Sequence, residues 1–228
     1  MFPVAGHEGS CSEVFRFSLC TFPVTRTVSV DLDDSNVENF QFHVFIVRYA
    51  LEIDMDVYKA IETRRSVRKY KSGSMPDNEL KRVLEAARLA PSAGNKQPWG
   101  FVVVRNQESK KKLAEVARNQ LWIGEAGVVV VAFADPVQSP GGYSRWNERD
   151  VMTAVEHMVL AAWELGYGSC WVGAFEEEKV KTIVELPEDK KVICLLPIGT
   201  PAEFPSPKPR REFKEVFHTE SYGKPMSL

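Results

Sequence analysis

The chain is poor in the residues that build metal sites and covalent frameworks. It has four cysteines, Cys11, Cys20, Cys170 and Cys194, with no CxxC pair and no Cys/His spacing of the kind zinc requires. A chain of 228 residues can bury its own core without such staples, so no metal is expected and the thiols read as the reduced cysteines of a cytosolic protein. Long apolar runs are also missing. The stretch from Phe40 to Ile53 is cut by His43, Arg48 and Glu52 and falls short of the roughly 20 apolar residues of a membrane span. Between Met1 and Arg16 no basic residue forms a charged leader region, and Arg16 interrupts the run from Phe15 to Val24, so the expected location is cytoplasmic, without a membrane partner. An excess of one charge is absent too: 29 basic side chains face 31 acidic ones, which argues against a chain that coats nucleic acid. The catalytic signatures HExxH and the nucleophile elbow do not occur, and His7, His43, His157 and His218 are scattered. His157 reads as a packed helix-surface residue. Trp122, Trp146, Trp163 and Trp171 read as core or interface aromatics.

What is present is an ordinary globular composition, 44% hydrophobic and 26% charged. Residues 1–54 differ from the rest: Gly, Ser, Phe and Val dominate, and helical periodicity is lacking. Alternation in Thr27 to Leu32 and in Phe40 to Phe45 suits short strands. The segment is read as an N-terminal extension, poorly ordered or lying upstream of a native start at Met55, and residues 55–228 as the functional domain. From Val57, Ala60 and Ile61 a short helix runs into an extended basic segment. Ser74 is the expected cap of a second helix, with Pro76 in its first turn and Leu80, Val83, Leu84 and Ala87 as its apolar face. Pro91 and Pro98 make a loop of Ala90 to Trp99. Phe101 to Val104 and Ala126 to Ala134 read as strands, and Ser109 to Asn119 as a helix. A Pro/Gly/Ser-rich loop covers Asp135 to Asn147, followed by a long helix from about Arg149 to Leu165 closed by Gly166. A helix over Glu176 to Glu185 and a strand over Val192 to Ile198 complete the pattern. Without a strict βαβ repeat, the fold class is α+β, a sheet covered by helices.

Four segments carry chemistry. The first holds six cations between Lys59 and Lys71 with Ser66 among them. Arg64 and Arg68, on one face if the helix persists, match the oxygens of a phosphomonoester, although the same run suits a solvated face. The second, Lys208-Pro209-Arg210-Arg211, is displayed on a proline-stiffened arm. The third places Ser92, Asn95 and Gln97 between two prolines; these groups make either a plain Asn-rich turn or an edge that pairs with a flat heterocycle such as a flavin imide. The fourth, Gly166 to Phe175, lacks dinucleotide or Walker spacing, and its glycines fit close backbone approach to a ligand ring. Cys170 within it has no sequence neighbour that would lower its pKa.

Taken together, Met55 to Tyr70, Ala90 to Trp99, Leu165 to Phe175 and Lys208 to Arg210 resemble, in order and spacing, the flavin-binding segments of the nitroreductase family of FMN-dependent oxidoreductases. The resemblance covers about residues 55–217. It implies an α+β fold with an antiparallel-type central sheet, an intertwined homodimer, and FMN in the subunit interface. Carried over, Arg64, Arg65, Ser66 and Arg68 become the first flavin contacts, with Arg68 toward the ribityl and pyrimidine end, and Lys208 and Arg210 complete the phosphate clamp. Ser92, Ala93, Asn95 and Gln97 line the flavin from the partner subunit. Asn119 and Gln120 approach the pyrimidine edge, and Val172 and Gly173 place a backbone N–H at flavin N5. The implied activity is ping-pong transfer from NAD(P)H to a small electron-poor acceptor such as a nitroaromatic or quinone, with the chemistry on FMN rather than on a catalytic side chain. Dehalogenation, flavin destruction and ene reduction share the fold, and the short loop over Asp135 to Asn147 favours an open site with a broad acceptor range. A non-catalytic FMN-binding or nucleic-acid-binding module is the alternative outside enzymology.

Overall fold

The computed structural model describes residues 14–21, 24–31, 56–136 and 145–227. Two units separate, Met1–Met55 and Asp56–Leu228. In the first, β1 (Val14–Thr21) and β2 (Val24–Asp31) form an antiparallel pair with Val14 opposite Asp31 and Thr21 opposite Val24. The alternation of Thr27 to Leu32 falls on β2 up to Asp31; the strand expected at Phe40 to Phe45 lies outside the described residues.

The second unit contains α1 (Val57–Thr63), α2 (Asp77–Arg88), β3 (Trp99–Val104), α3 (Gln107–Val116), β4 (Val128–Ala134), α4 (Arg145–Glu164), β5 (Gly168–Ser169), α5 (Glu177–Ile183), β6 (Lys191–Gly199) and α6 (Phe213–Val216). The sheet order is β3-β4-β6-β5, with every neighbouring pair antiparallel. β4 and β6 are central and buried on both faces, which is why their sequences read as continuous apolar runs instead of alternating ones. Val128, Val130, Ala132 and Ala134 face the layer of α2 and α4, together with Cys194, Leu196 and Ile198. Val129, Val131, Val192 and Leu195 face α3 and α5. α4 supplies Val151, Ala154, Val155, Met158 and Ala162, all fully buried; burying a side chain the size of Val155 or Met158 is worth roughly 1.5–3 kcal/mol.

Local chemistry moved several boundaries. The N-cap of α2 is Pro76 rather than Ser74, without a side-chain cap hydrogen bond, and Asp77 and Glu79 occupy the first turn. α3 starts earlier than expected because Asn106 caps it through the Ser109 N–H at 3.0 Å. It also ends earlier, at Val116, because Arg118 and Asn119 turn into the left-handed region at φ 57° and 55°. β3 is only half-buried along most of its length, since it is the sheet's edge and pairs on one side. α4 begins at Arg145, inside the stretch read as loop; residues 137–144 of that stretch lie outside the described residues. At its other end Gly166, at φ 83°, closes the helix as expected.

Candidate functional site

α1 is capped by Asp56, which accepts from the Lys59 N–H at 2.7 Å. It stops at Thr63, with Arg64 as C-cap donating its N–H to the Ala60 carbonyl, and the chain beyond takes other partners. The Val67 N–H donates to the Ser169 carbonyl at 3.0 Å, Lys71 to Thr200 at 2.8 Å, and Ala202 to Lys69 at 2.9 Å. The basic segment therefore runs extended along β5 and the chain that follows β6, and the helical face that would have paired Arg64 with Arg68 does not form. Close approach depends on one glycine: a Cβ at Gly168 would stand 2.5 Å from Val67 Cγ2. That glycine admits the side chains of Val67 and Pro201 rather than a ligand ring.

The extended course gathers the two basic clusters. Arg64, Arg65, Ser66 and Arg68 line one cleft with Glu203, Pro205, Ser206, Lys208 and Arg210, of about 380 Å³. Five cations and two hydroxyls thus share the cleft with a single carboxylate, and Glu203 is itself engaged by Lys69 at 3.2 Å. Arg65 donates to the carbonyls of Glu62 at 3.0 Å and Arg64 at 2.8 Å, closing the C-terminus of α1. Arg64 lies 3.8 Å from Glu156 of α4. Burial raises the Glu156 carboxyl above the ordinary glutamate range, opposed by the charges of Arg64 and His157. Trp163, which is buried, contacts the residue that precedes Arg64 and the residue that follows Glu203. Its indole N–H donates to Thr63 Oγ1 at 3.0 Å, and its ring meets Phe204 edge-on at 6.2 Å.

Cys170 sits beside the same segment. Burial raises its thiol pKa, while Arg68, a hydrogen bond from Ser66 and Arg64 pull it down. The sequence showed no neighbour able to do that; three cleft residues do, and burial still prevails. Val172 is buried and exchanges hydrogen bonds with Leu195 at 2.8 and 3.0 Å. Because amides alternate along extended backbone, the N–H of Gly173 turns toward the opposite edge. Gly173 is exposed, and no described atom lies within 4 Å of where its Cβ would stand.

The remaining sequence candidates fall elsewhere. The loop before β3 is held to α4 by Asp150, whose two carboxylate oxygens each accept from the Ala93 N–H at 3.2 Å. Inside it, Ser92 Oγ accepts from the Gln97 N–H at 2.9 Å and Gln97 Nε2 donates to Asn95 Oδ1 at 3.1 Å. Asn95 and Gln97 hold φ of 53° and 51°, a conformation costly for side-chain-bearing residues and concentrated at functional positions. Ser92, Ala93, Asn95 and Gln97 do not line the cationic cleft of their own chain. Asp150 and Glu156 are six residues apart on α4, so loop and basic segment dock about 9 Å apart along the axis and about 120° apart around it. Asn119 and Gln120 occupy the turn after α3, where Gln120 Nε2 donates to the Ala117 carbonyl at 2.9 Å; the next residue but one, Trp122, lies under Arg68.

The family model described as the nitroreductase family matches residues 61–136 and 118–200, which contain the basic segment, the proline-bounded loop, α4 and the Gly166 to Phe175 stretch. The chain belongs to the nitroreductase family. The NADH dehydrogenase of Thermus thermophilus is 31% identical over 194 residues, covering 71% of this chain and 95% of that protein. The FMN reductase [NAD(P)H] of Bacillus subtilis is 28% identical over 185 residues, covering 73% and 74%. Among solved structures, NfrA1 of B. megaterium superposes with a TM-score of 0.70 at 29% identity, covering 73% of this chain and 74% of that one. A nitroreductase family protein of Clostridium novyi NT superposes at 0.61 with 28% identity, covering 75% and 97%.

For a member of the nitroreductase family, the side chains that sequence reasoning missed are those that hold the recognised residues in place. Asp150 and Glu156 carried no signal beyond being acids on a helix. Trp163 was legible only as a core or interface aromatic, and its hydrogen bond reaches a residue 100 positions away. Of the other tryptophans, Trp146 and Trp171 remain 50% and 53% exposed, so neither belongs to the core of its own chain. His157 packs as expected, its Nδ1 lying 3.1 Å from the Ala86 carbonyl.

Proposed function

We propose that this nitroreductase-family chain binds FMN and passes electrons from NAD(P)H to small electron-poor acceptors such as nitroaromatics and quinones, donor and acceptor taking turns at one open site in a ping-pong sequence. The observation that carries the reading is the convergence of Arg64, Arg65, Ser66 and Arg68 with Lys208 and Arg210 in one cleft. Guanidinium forks, an ammonium and a hydroxyl are the donor set that a phosphomonoester requires, so the residues present fit the FMN phosphate. Arg68, farther along the segment, would offer its positive charge to the N1/O2 edge of the isoalloxazine, where negative charge gathers on reduction. The Gly173 N–H would be the donor offered to the ring at N5, and the lack of a side chain there leaves open space. When bound, FMN supplies the hydride acceptance and donation, and the protein supplies position and charge.

The unit is proposed to work as a homodimer. Val57, Tyr58 and Ile61 of α1 are 70%, 76% and 55% exposed, and Phe213 and Val216 of α6, with Phe217 just after it, are about half exposed. Apolar groups so placed on short helices call for a cover. The loop of Ser92, Ala93, Asn95 and Gln97, docked on another face of α4, then lines the flavin held by the partner's basic cleft. Asn119 and Gln120 reach the pyrimidine edge from the turn next to Arg68.

The test is a visible absorption spectrum of the purified protein followed by anaerobic titration with NADH and with NADPH. A flavin spectrum that bleaches with nicotinamide and returns on adding a quinone or nitroaromatic is the expected result. A colourless protein that fails to take up added FMN would refute the reading and every residue role that rests on it.

A further inference from the structure

We infer that Trp122, together with Tyr70, forms an aromatic platform that fixes the guanidinium of Arg68, making Trp122 a positioning residue for flavin binding and flavin potential. The inference rests on the FMN reading above and deepens it. Arg68 is exposed and follows an extended backbone, so nothing in its own segment restrains a long, rotamer-rich side chain. Its Cζ lies 6.0 Å from the centroid of the Trp122 ring, within the range where an aromatic face attracts a cation. The Tyr70 ring stands 6.4 Å from that of Trp122, tilted by 36°.

Both rings are anchored to the core. Tyr70 is buried, and its hydroxyl is 2.9 Å from the Val67 carbonyl and 3.3 Å from that of Pro197 in β6. Trp122 belongs to the single-turn helix Leu121–Glu125, which α3 pins twice. Gln107 Nε2 donates to the Gly124 carbonyl at 2.9 Å. Lys110 Nζ donates to the Ala126 carbonyl at 2.5 Å, and this lysine is buried. A lysine loses solvation when it is buried; here it ties α3 to the end of the turn that carries the indole. The path from the sheet and α3 through two rings to one guanidinium gives an exposed arginine a fixed location, as a group that must meet a particular edge of a cofactor requires.

The experiment compares the full-length wild-type chain with Trp122→Leu, Trp122→Phe, Arg68→Ala and the Arg68→Ala/Trp122→Leu pair. FMN dissociation constants come from fluorescence titration, and flavin midpoint potentials from dye-coupled reduction. Trp122→Leu is expected to weaken FMN binding roughly threefold to tenfold and to move the midpoint potential to more negative values. Trp122→Phe, whose ring has the weaker face, falls between it and wild type. In the Arg68→Ala background, Trp122→Leu adds little, because the group it positions is gone. Should Trp122→Leu fail to fold, the Phe variant carries the test. Wild-type affinity and potential in the Phe variant, or full additivity of the Leu and Arg68→Ala effects, would overturn the inference while leaving the FMN reading intact. A wild-type chain that takes up no FMN would remove the FMN reading itself, and with it the platform's purpose.

Discussion

Replacing Gly168 by alanine tests whether the basic segment is a binding element or merely lies along β5. The added Cβ would stand 2.5 Å from Val67 Cγ2, 2.6 Å from Val67 Cβ and 3.0 Å from Pro201 Cγ. Val67 is fully buried, so it has no solvent to move into, and restoring ordinary contact requires a displacement of about 1 Å. Overpacking of this kind costs about 1–3 kcal/mol, while Gly→Ala recovers about 0.4–1 kcal/mol from the unfolded chain. A net stability loss of about 1–2 kcal/mol is expected in urea denaturation of the apo protein. The displacement passes directly to Ser66 and Arg68, which flank Val67 and line the cleft. A shift of about 1 Å is enough to spoil hydrogen bonds to a phosphate, so FMN binding is expected to weaken about tenfold or more, equivalent to about 1.4 kcal/mol. Gly173→Ala is the control for stability: its Cβ meets no described atom within 4 Å, so denaturation should be unchanged within about 0.5 kcal/mol, while the added methyl intrudes on the space assigned to the flavin ring. The decisive result is Gly168→Ala with reduced stability and wild-type FMN affinity, which would show that the Ser66 to Arg68 segment does not hold the cofactor.

Arg68→Ala is expected to lower both FMN affinity and the rate of reduction by NAD(P)H, measured by stopped-flow bleaching; a variant normal in both would remove Arg68 from the site. Burial raises the Glu156 carboxyl pKa in the native state, so ionising it costs the folded protein stability as pH rises from the usual glutamate value of about 4.3 through the raised one. Glu156→Gln is therefore expected to be more stable than wild type at pH 7 and equal to it below about pH 4; a variant less stable at pH 7 would show that the pairing with Arg64 outweighs burial. The Cys194 thiol is pushed up to about 12 by burial, which leaves roughly a thousandfold less thiolate at pH 8 than an ordinary cysteine has. Peptide mapping after iodoacetamide treatment should find Cys194 unmodified in the native protein and modified after unfolding, and native labelling at the unfolded rate would contradict the burial.

The elements were legible in the sequence because the core is written in long apolar patterns. Four successive valines mark β4, and the small and branched residues of α4 mark a helix packed on several sides. Their ends were less legible, because caps are decided by single residues: Asn106 started α3 early, Pro76 displaced Ser74, and left-handed Arg118 and Asn119 closed α3 before its apolar spacing ran out. The cleft was legible as charge, since two basic clusters over a hundred residues apart stand out in a chain of balanced charge. Its geometry was not. Helical spacing put Arg64 and Arg68 on one face, but the Val67 N–H found the Ser169 carbonyl, a tertiary bond that local spacing cannot announce. The same holds for Trp122 and Trp163, whose partners are distant in sequence and whose type reads first as core.

α4 explains why one chain does not assemble every predicted contact around its own cleft. Glu156 meets Arg64, and Trp163, seven residues on, meets Thr63 and Phe204, so this flank of the helix carries the cationic cleft. Asp150 meets Ala93 from a direction about 120° away, and a rigid helix cannot turn one flank into the other. In the homodimer proposed above, a ligand takes the Arg64 to Arg68 segment from one copy of the chain and the Ser92 to Gln97 loop from the other. The exposed apolar faces of α1 and α6 supply a reason for those copies to associate. If the proposed homodimer forms the site, the chain's affinity for FMN depends on its own concentration: dilution below the dimer dissociation constant should release flavin even though every cleft residue is intact. Gel filtration with absorbance at two wavelengths across a dilution series reads both events together, and flavin that stays bound to a monomer would show that one chain completes the site alone.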